Sequence, residues 1–271
     1  MNYIKSWRLK GKLLRRVAFV AFLDFLANVL VMIGLLFVGA GVYAVLFSSG
    51  VAFAALFSTV NGKRYSLRQW CGVALATLGM ALNGLASVED ALDAGHGALG
   101  RFELGAGVIL GGTALHSLSL VCAESVSAGE ELTSFRLATY VGGVEASVLL
   151  AHNAVLLLAR GADKLYLKHI LKHQGDPTTV FIVYIALWFA DLCHALAHYA
   201  LLAGAGAVAL TLSRGVQMLF VVGIAELAFC GDDARACLTP VKFASVASVA
   251  FGILLYASKP KRPKRELLPA Q

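Results

Sequence analysis

Apolar runs of about 20 residues recur along the whole chain, and most charged residues lie in the short intervals between them. A helix rising 1.5 Å per residue needs about that many to cross roughly 30 Å of hydrocarbon. The pattern predicts eight helical spans, over about 17–38, 41–60, 67–86, 104–126, 135–158, 178–200, 204–228 and 239–257. Local signals agree at several starts. Ser66 and Gln69 have the spacing of a capping box ahead of the third span. Asp176-Pro177 and Thr239-Pro240 each set a capping side chain before a proline at the first helical position. Trp70 and Tyr256 lie near span ends, where aromatic rings favour the membrane interface. The predicted fold class is all-α, a polytopic transmembrane helical bundle. Gly107 and Gly111, at GxxxG spacing, are expected to bring the fourth span close to a neighbour.

Composition agrees: 59% of the 271 residues are hydrophobic and 14% charged, against about 25% charged in soluble domains. The net charge of +7 is not a nucleic-acid footprint, because it is concentrated at the ends of the spans. Lys5, Arg8, Lys10, Lys12, Arg15 and Arg16 precede the first span, and Lys63, Arg64 and Arg68 occupy the second connection. Lys259, Lys261, Arg262, Lys264 and Arg265 follow the last. With an even number of spans, all three clusters fall on one face, which the positive-inside rule makes cytosolic. The interval 159–177, with Arg160, Lys164, Lys168 and Lys172, runs against that rule. The first apolar run is too long for a signal peptide, lacks a small-residue cleavage site and contains Asp24 and Asn28. Five cysteines form no metal or redox spacing; Cys230 and Cys237 flank the loop GDDARA on the non-cytosolic side, where a disulfide is permitted.

An internal repeat organises the spans. GAGVYAVLFSSGVAF at 39–53 and GAGAVALTLSRGVQM at 204–218 agree at seven of fifteen positions without a gap. Upstream, Asp24 corresponds to Asp191 after a two-residue shift. The first three spans thus correspond to the last three, five apart. An odd displacement makes the two copies cross in opposite directions, the inverted arrangement of secondary transporters, whose site lies near the midplane. The chain divides into a basic N-terminus (1–16), a three-span unit (17–86), a five-span unit (104–257) and a basic tail (258–271).

The stretch 43–85, YAVLFSSGVAFAALFSTVNGKRYSLRQWCGVALATLGMALNGL, resembles the core of the drug/metabolite transporter superfamily (EamA-like). The solute carrier 35 branch, with its nucleotide-sugar transporters, is the nearest flavour. Gln69, Trp70 and Gly72 match that branch's helix start, Lys63-Arg64 its basic loop, and Ser213-Arg214 its polar turn in the second half. The resemblance runs over roughly 17–257. Phe47 stands where many relatives carry arginine, and Ala44 where some carry glutamine. Eight spans stand against the family's two inverted sets of five, so the first set lacks its two leading spans. The resemblance implies alternating-access transport of a small polar or anionic metabolite, with a nucleotide sugar exchanged for a nucleotide monophosphate as the family-guided substrate. It implies no cofactor, an endomembrane location with both termini cytosolic, the bilayer as partner, and room for a homodimer.

Polar residues at membrane depth are expensive and usually functional. Arg214, about 15 Å into its span, is the first candidate for binding an anion, because guanidinium grips phosphate and carboxylate with two prongs. Thr211 and Gln217 share its face, and Ser213 adjoins it. Its resting partner is expected among Asp191, Asp24 and Glu124. Asp191, His194 and His198 form a polar stripe in the sixth span, and Asp24 and Asn28 a shorter one in the first. Tyr43, Ser48 and Ser49 complete the substrate-binding candidates. Glu124 and Glu145, with His116 and His152 about two turns away, are candidates for gating or a proton route.

Two other readings compete. The His194/His198 pair has the i, i+4 spacing of two zinc ligands, but no HExxH sequence occurs, and metal chemistry would not explain the repeat. The absence of two family spans also fits a truncated copy or a non-transporting scaffold. The preferred reading is a transporter without catalytic or metal-ligating residues. Its topology is directly testable: an impermeant thiol reagent applied after reduction should reach Cys230 and Cys237 from the non-cytosolic side of sealed vesicles. Labelling only after the cytosolic side is opened would invert the orientation.

Overall fold

Hydrocarbon offers the backbone no hydrogen-bond partner, so a chain of this composition must close its own bonds within helices. The computed structural model describes residues 11–83, 99–128, 132–161, 176–231 and 238–258, and every regular element among them is helical. The elements are α1 (Gly11–Ser48), α2 (Gly50–Val60), α3 (Leu67–Asn83), α4 (Leu99–Ala128), α5 (Ser134–Arg160), α6 (Pro177–Ala205), α7 (Ala207–Phe229) and α8 (Pro240–Ala257). α1 breaks at Gly39, whose φ of 79° and ψ of 167° suit only glycine. It therefore supplies the first span and part of the second, which α2 completes.

Among the described residues seven segments are long and apolar enough to cross a membrane: Gly11–Gly39, Val42–Val60, Phe102–Ser127, Phe135–Ala159, Pro177–Ala205, Ala207–Ala228 and Pro240–Ala257. The protein is an integral, multi-pass membrane protein. The remaining predicted span corresponds to α3, which has 17 residues; its expected end at residue 86 lies outside the described residues. The expected caps form. Ser66 N–H donates to Gln69 Oε1 at 3.0 Å and Gln69 N–H to Ser66 Oγ at 3.4 Å. Asp176 accepts from the N–H groups of Thr178 and Thr179, and Thr239 Oγ1 accepts from Lys242 N–H. Cys230 is disulfide-bonded, and Cys237 lies outside the described residues.

Lipid is as apolar as leucine, so helices in a membrane gain by close approach, and glycine permits the closest. Two glycine seams organise the bundle. Between α1 and α4, a Cβ on Gly34 would stand 2.9 Å from the Gly105 carbonyl, one on Gly105 2.6 Å from Phe37, and one on Gly112 3.0 Å from the Ala27 carbonyl. Between α3 and α8, a Cβ on Gly72 would stand 2.6 Å from the Gly252 carbonyl and one on Gly252 2.7 Å from the Gly72 carbonyl. Ser245 Oγ donates to the Gly79 carbonyl at 2.6 Å in the same seam. The expected contact through Gly107 and Gly111 is corrected: neither has a neighbour within 4 Å of an added Cβ. Gly105 and Gly112, about two turns apart, carry the approach instead.

The two ends of the bundle differ. At one end Lys63 ion-pairs with Glu124, whose other oxygen accepts from Ala207 N–H at 3.2 Å. Asn61 donates to Ser125 at 2.8 Å, and the rings of Tyr65 and Tyr256 lie 6.2 Å apart. The starts of α1 and α7 join the ends of α4 and α6 there, around Val17, Val20, Leu120, Val121 and Leu202. At the other end Val38 and Val42 pack on Ile109 and Phe102. Gly206, with φ 89° and ψ 172°, turns the chain from α6 into α7 beside Glu124. Gly39 makes the equivalent turn beside the start of α4. Gly105 and Glu124, which mark these two places, are about 28 Å apart along that helix. Gly39 and Gly206 are 167 positions apart, as are Asp24 and Asp191, whereas Ser48 and Ser213 are 165 apart.

The α3–α8 seam yields a stability test. Gly252→Ala must push two backbones apart and should lower the thermal unfolding midpoint of detergent-solubilised protein by the equivalent of about 1–3 kcal/mol. Gly107→Ala should leave it unchanged. Equal midpoints for both variants and the parent would remove the seam from the account of stability.

Candidate functional site

Arg214 lies seven residues past the start of α7, about 10 Å along the helix. Its Nη2 is 2.9 Å from His116 Nε2 on α4, and its Cζ stands 4.1 Å from the centre of the Phe47 ring on α1. The ring face attracts the cation without demanding a charge in return. His116 Nδ1 lies 2.8 Å from Asp24 Oδ1 on α1, and Ser119 Oγ donates to the same oxygen at 3.2 Å. A guanidinium has only donors, so His116 Nε2 must accept; the imidazole hydrogen then sits on Nδ1 and points at Asp24. Arg214 therefore reaches Asp24 through an imidazole rather than by direct contact. Glu145 of α5 also belongs to the site. Its Oε1 is buried and has no hydrogen-bond partner among the described residues.

This polar chain forms one wall of a cavity of about 790 Å³ bounded by all the helices except α8. The sequence candidates Asp24, Tyr43, Ser48, Glu145, His194, His198, Thr211, Ser213, Arg214 and Gln217 all line it. Asn28, Ser49, Glu124 and Asp191 do not. Asn28 is exposed on α1, and Ser49 bonds the Leu46 carbonyl. Glu124 closes the bundle end described above. Asp191 lies at the middle of α6, exposed and without a hydrogen-bond or ion-pair partner among the described residues.

Hydrogen bonding limits what the wall can offer. The hydroxyls of Ser48, Thr211 and Ser213 donate to the carbonyls of Val45, Val208 and Leu210, at 2.6, 2.9 and 2.6 Å. Their remaining capacity is to accept. Donors for a solute come from Arg214, from the Gln217 amide, from the imidazoles of His194 and His198, from Tyr199, and from Tyr43, whose ring stacks on Phe47 with centroids 5.1 Å apart. The rings of His194 and His198 are 6.0 Å apart, and among the described residues no three His, Cys, Asp or Glu side chains gather as a metal would need.

Two members of the site are absent from the sequence candidates. His116 is placed by chain spacing near Glu124, yet it turns toward Arg214 and Asp24. Its visible signal is a polar stripe with Thr113 and Ser119, three residues either side. Phe47, conspicuous as a departure from the arginine of similar proteins, is the ring on which Arg214 rests.

Fold and cavity together define a class: a multi-pass helical membrane protein with a charged chamber at membrane depth. The profile of the EamA-like transporter family matches residues 2–85. That segment includes Asp24, Tyr43, Phe47 and Ser48; His116, Glu145 and Arg214 lie beyond it. No curated protein matches the chain.

The bridge can be tested by its coupling energy. His116→Ala leaves Asp24 and Arg214 without their shared partner and should destabilise the solubilised protein by about 1–3 kcal/mol. In Asp24→Asn/His116→Ala the loss should fall short of the sum of the single losses by about 1 kcal/mol or more. Strict additivity in unfolding measurements would mean that the two side chains do not interact.

Proposed function

We propose that the protein is a secondary transporter that moves a small polar or anionic solute by alternating access. The observation carrying this reading is Arg214. Its guanidinium lines a chamber within the usual size range of ligand sites, roughly 300–1,000 Å³. It is held by a ring face and an imidazole nitrogen, which leaves most of its five N–H donors free for a two-pronged bond to phosphate or carboxylate. The EamA-like match over residues 2–85 supports transport of small solutes.

The backbone supports an inverted repeat. Gly39 and Gly206 share one unusual conformation at opposite ends of α4, and Ser48 and Ser213 each bond the carbonyl three residues back. Two such units rocking about a central chamber would expose it to each side in turn. Nucleotide sugars exchanged for nucleotide monophosphates are the proposed cargo, in the manner of the solute carrier 35 branch. The proposed setting is an endomembrane with both termini in the cytosol.

Uptake into proteoliposomes from a panel of nucleotide sugars, phosphorylated metabolites and neutral solutes tests the reading. Arg214→Ala should still insert, because a mid-span charge costs roughly 2.5–3.5 kcal/mol on insertion scales. It should lose the thermal stabilisation given by the transported anion. Arg214→Lys should lose most of it as well, since ammonium lacks the planar fork. Undiminished stabilisation in well-folded Arg214→Ala would remove Arg214 from the site, and no uptake of any solute would turn the reading toward a scaffold.

A further inference from the structure

The bundle end at Glu124 is built unlike the opposite one. Lys63, from the connection between α2 and α3, ion-pairs with Glu124 near the end of α4. The same carboxylate accepts from the N–H of Ala207, the first residue of α7, at 3.2 Å. One acid on α4 thus holds two other parts of the chain. Asn61 of the same connection adds a second tie, donating to Ser125 at 2.8 Å. Position 206 needs glycine for space as well as for its φ of 89°: a Cβ there would meet the Glu124 carboxylate, and Lys63 Nζ at 3.2 Å. At the other turn, beside the start of α4, a Cβ on Gly39 would meet nothing within 4 Å.

Packing follows the same asymmetry. Leu120, Val121, Leu202, Ala207 and Leu210 are buried in one apolar cluster beneath these ties. Leu210 also lines the chamber, so the cluster fills the space between the chamber and the Lys63–Glu124 pair. The cluster at the other end, Val38, Val42 and Ile109, joins α1 and α4 only. Of the residues of α6, Leu202 alone is buried, and none of the described residues of α5 after Val141 is. The pair itself is suited to being made and broken. The Glu124 side chain is only 15% exposed, so its charge depends on both donors, and removing one leaves it short of a partner. Lys63, at 39%, returns to water when the two part.

We propose that Lys63 and Glu124 form the latch of a gate at this end of the chamber, closed here onto the start of α7. This rests on the transporter reading above. Parting the pair releases the α2–α3 connection and the α6–α7 turn from α4, and the cluster beneath then opens toward the side that carries Lys63. In this reading the structure is the state shut on that side, with the chamber reached from the other. Under the proposed topology the latched side is the cytosol.

Side-specific thiol labelling tests the latch without any transport. Ala195 lines the chamber on α6, and in Cys193→Ser/Ala195→Cys the new thiol is followed by peptide mass spectrometry. An impermeant methanethiosulfonate reagent is applied to sealed vesicles from one side at a time. With the latch intact, the thiol should react from the side away from Lys63 and be protected from the Lys63 side. Adding Glu124→Gln, or Lys63→Met, should speed labelling from the Lys63 side about tenfold, the change given by roughly 1.4 kcal/mol of lost closing free energy. Labelling from the other side should slow. Loss of fold would instead speed both, so a rise on both sides, or on neither, overturns the latch. A second measurement bridges Asn61→Cys/Ser125→Cys with a short, reducible thiol cross-linker in proteoliposomes. Uptake of labelled inorganic phosphate or uridine monophosphate should stop, and return on reduction, while parent protein given the same treatment is unaffected. Uptake through the bridged protein overturns the gate and leaves transport standing. If the unbridged protein takes up neither probe, anion transport itself fails, while the side of labelling still decides the latch.

Discussion

The rest of the site depends on how a guanidinium is kept in a region from which water is largely excluded. Arg214 cannot shed its charge, so it must be met by groups that accept hydrogen or offer electron density. His116 and Phe47 do so from two different helices, and His116 in turn requires an acceptor at its other nitrogen, which Asp24 supplies. One charge thus fixes the rotational setting of α7, α4 and α1 relative to each other. The glycine seam between α1 and α4 makes this feasible: with a side chain at Gly34, Gly105 or Gly112 the helices would stand farther apart. Asp24 could not then reach His116.

How much of this was legible in the sequence follows from which constraints are local. Span positions and caps were readable because the hydrocarbon thickness and the helix rise set them residue by residue. The Ser66–Gln69, Asp176 and Thr239 caps depend only on neighbours within a turn. Which helix faces meet depends on partners far away in the chain. α4 carries glycines at 105, 107, 111 and 112, and spacing alone picks out the GxxxG pair, yet the helix presents Gly105 and Gly112 to α1. The same limit separates Asp24 from Asp191. They correspond in the proposed repeat, but only Asp24 meets a helix bearing a histidine at its depth. His116 escaped the candidate list because its role is to connect two other side chains, and a connector has no motif of its own.

Under the proposed inverted repeat, backbone conformation pairs Gly39 with Gly206, where the gapless sequence match pairs it with Gly204. The 167-residue offset holds from the acids through the junction glycines, and the 165-residue offset begins by the serines. The two-residue difference therefore falls between Gly39 and Ser48 in one copy and between Gly206 and Ser213 in the other. Two residues of helix amount to about 3 Å of rise and roughly 200° of rotation. If the two segments are copies, as proposed, that rotation turns different faces toward the chamber. The second presents a cation to the chamber, and the first presents the ring that receives it.

The serine and threonine hydroxyls of the chamber have given their hydrogens to the carbonyls behind them. What they turn to a visitor is lone pairs. Those three hydroxyls offer acceptors only, while the donors among the lining side chains are the guanidinium, the Gln217 amide, the Tyr43 and Tyr199 hydroxyls and the imidazoles of His194 and His198. In the proposed transporter, a solute with a charged head at Arg214 and hydroxyl groups toward Ser48, Thr211 and Ser213 would meet a complementary group at each end. Methylating the hydroxyls of such a solute, with its charge left intact, would remove the hydrogens that these three side chains can accept.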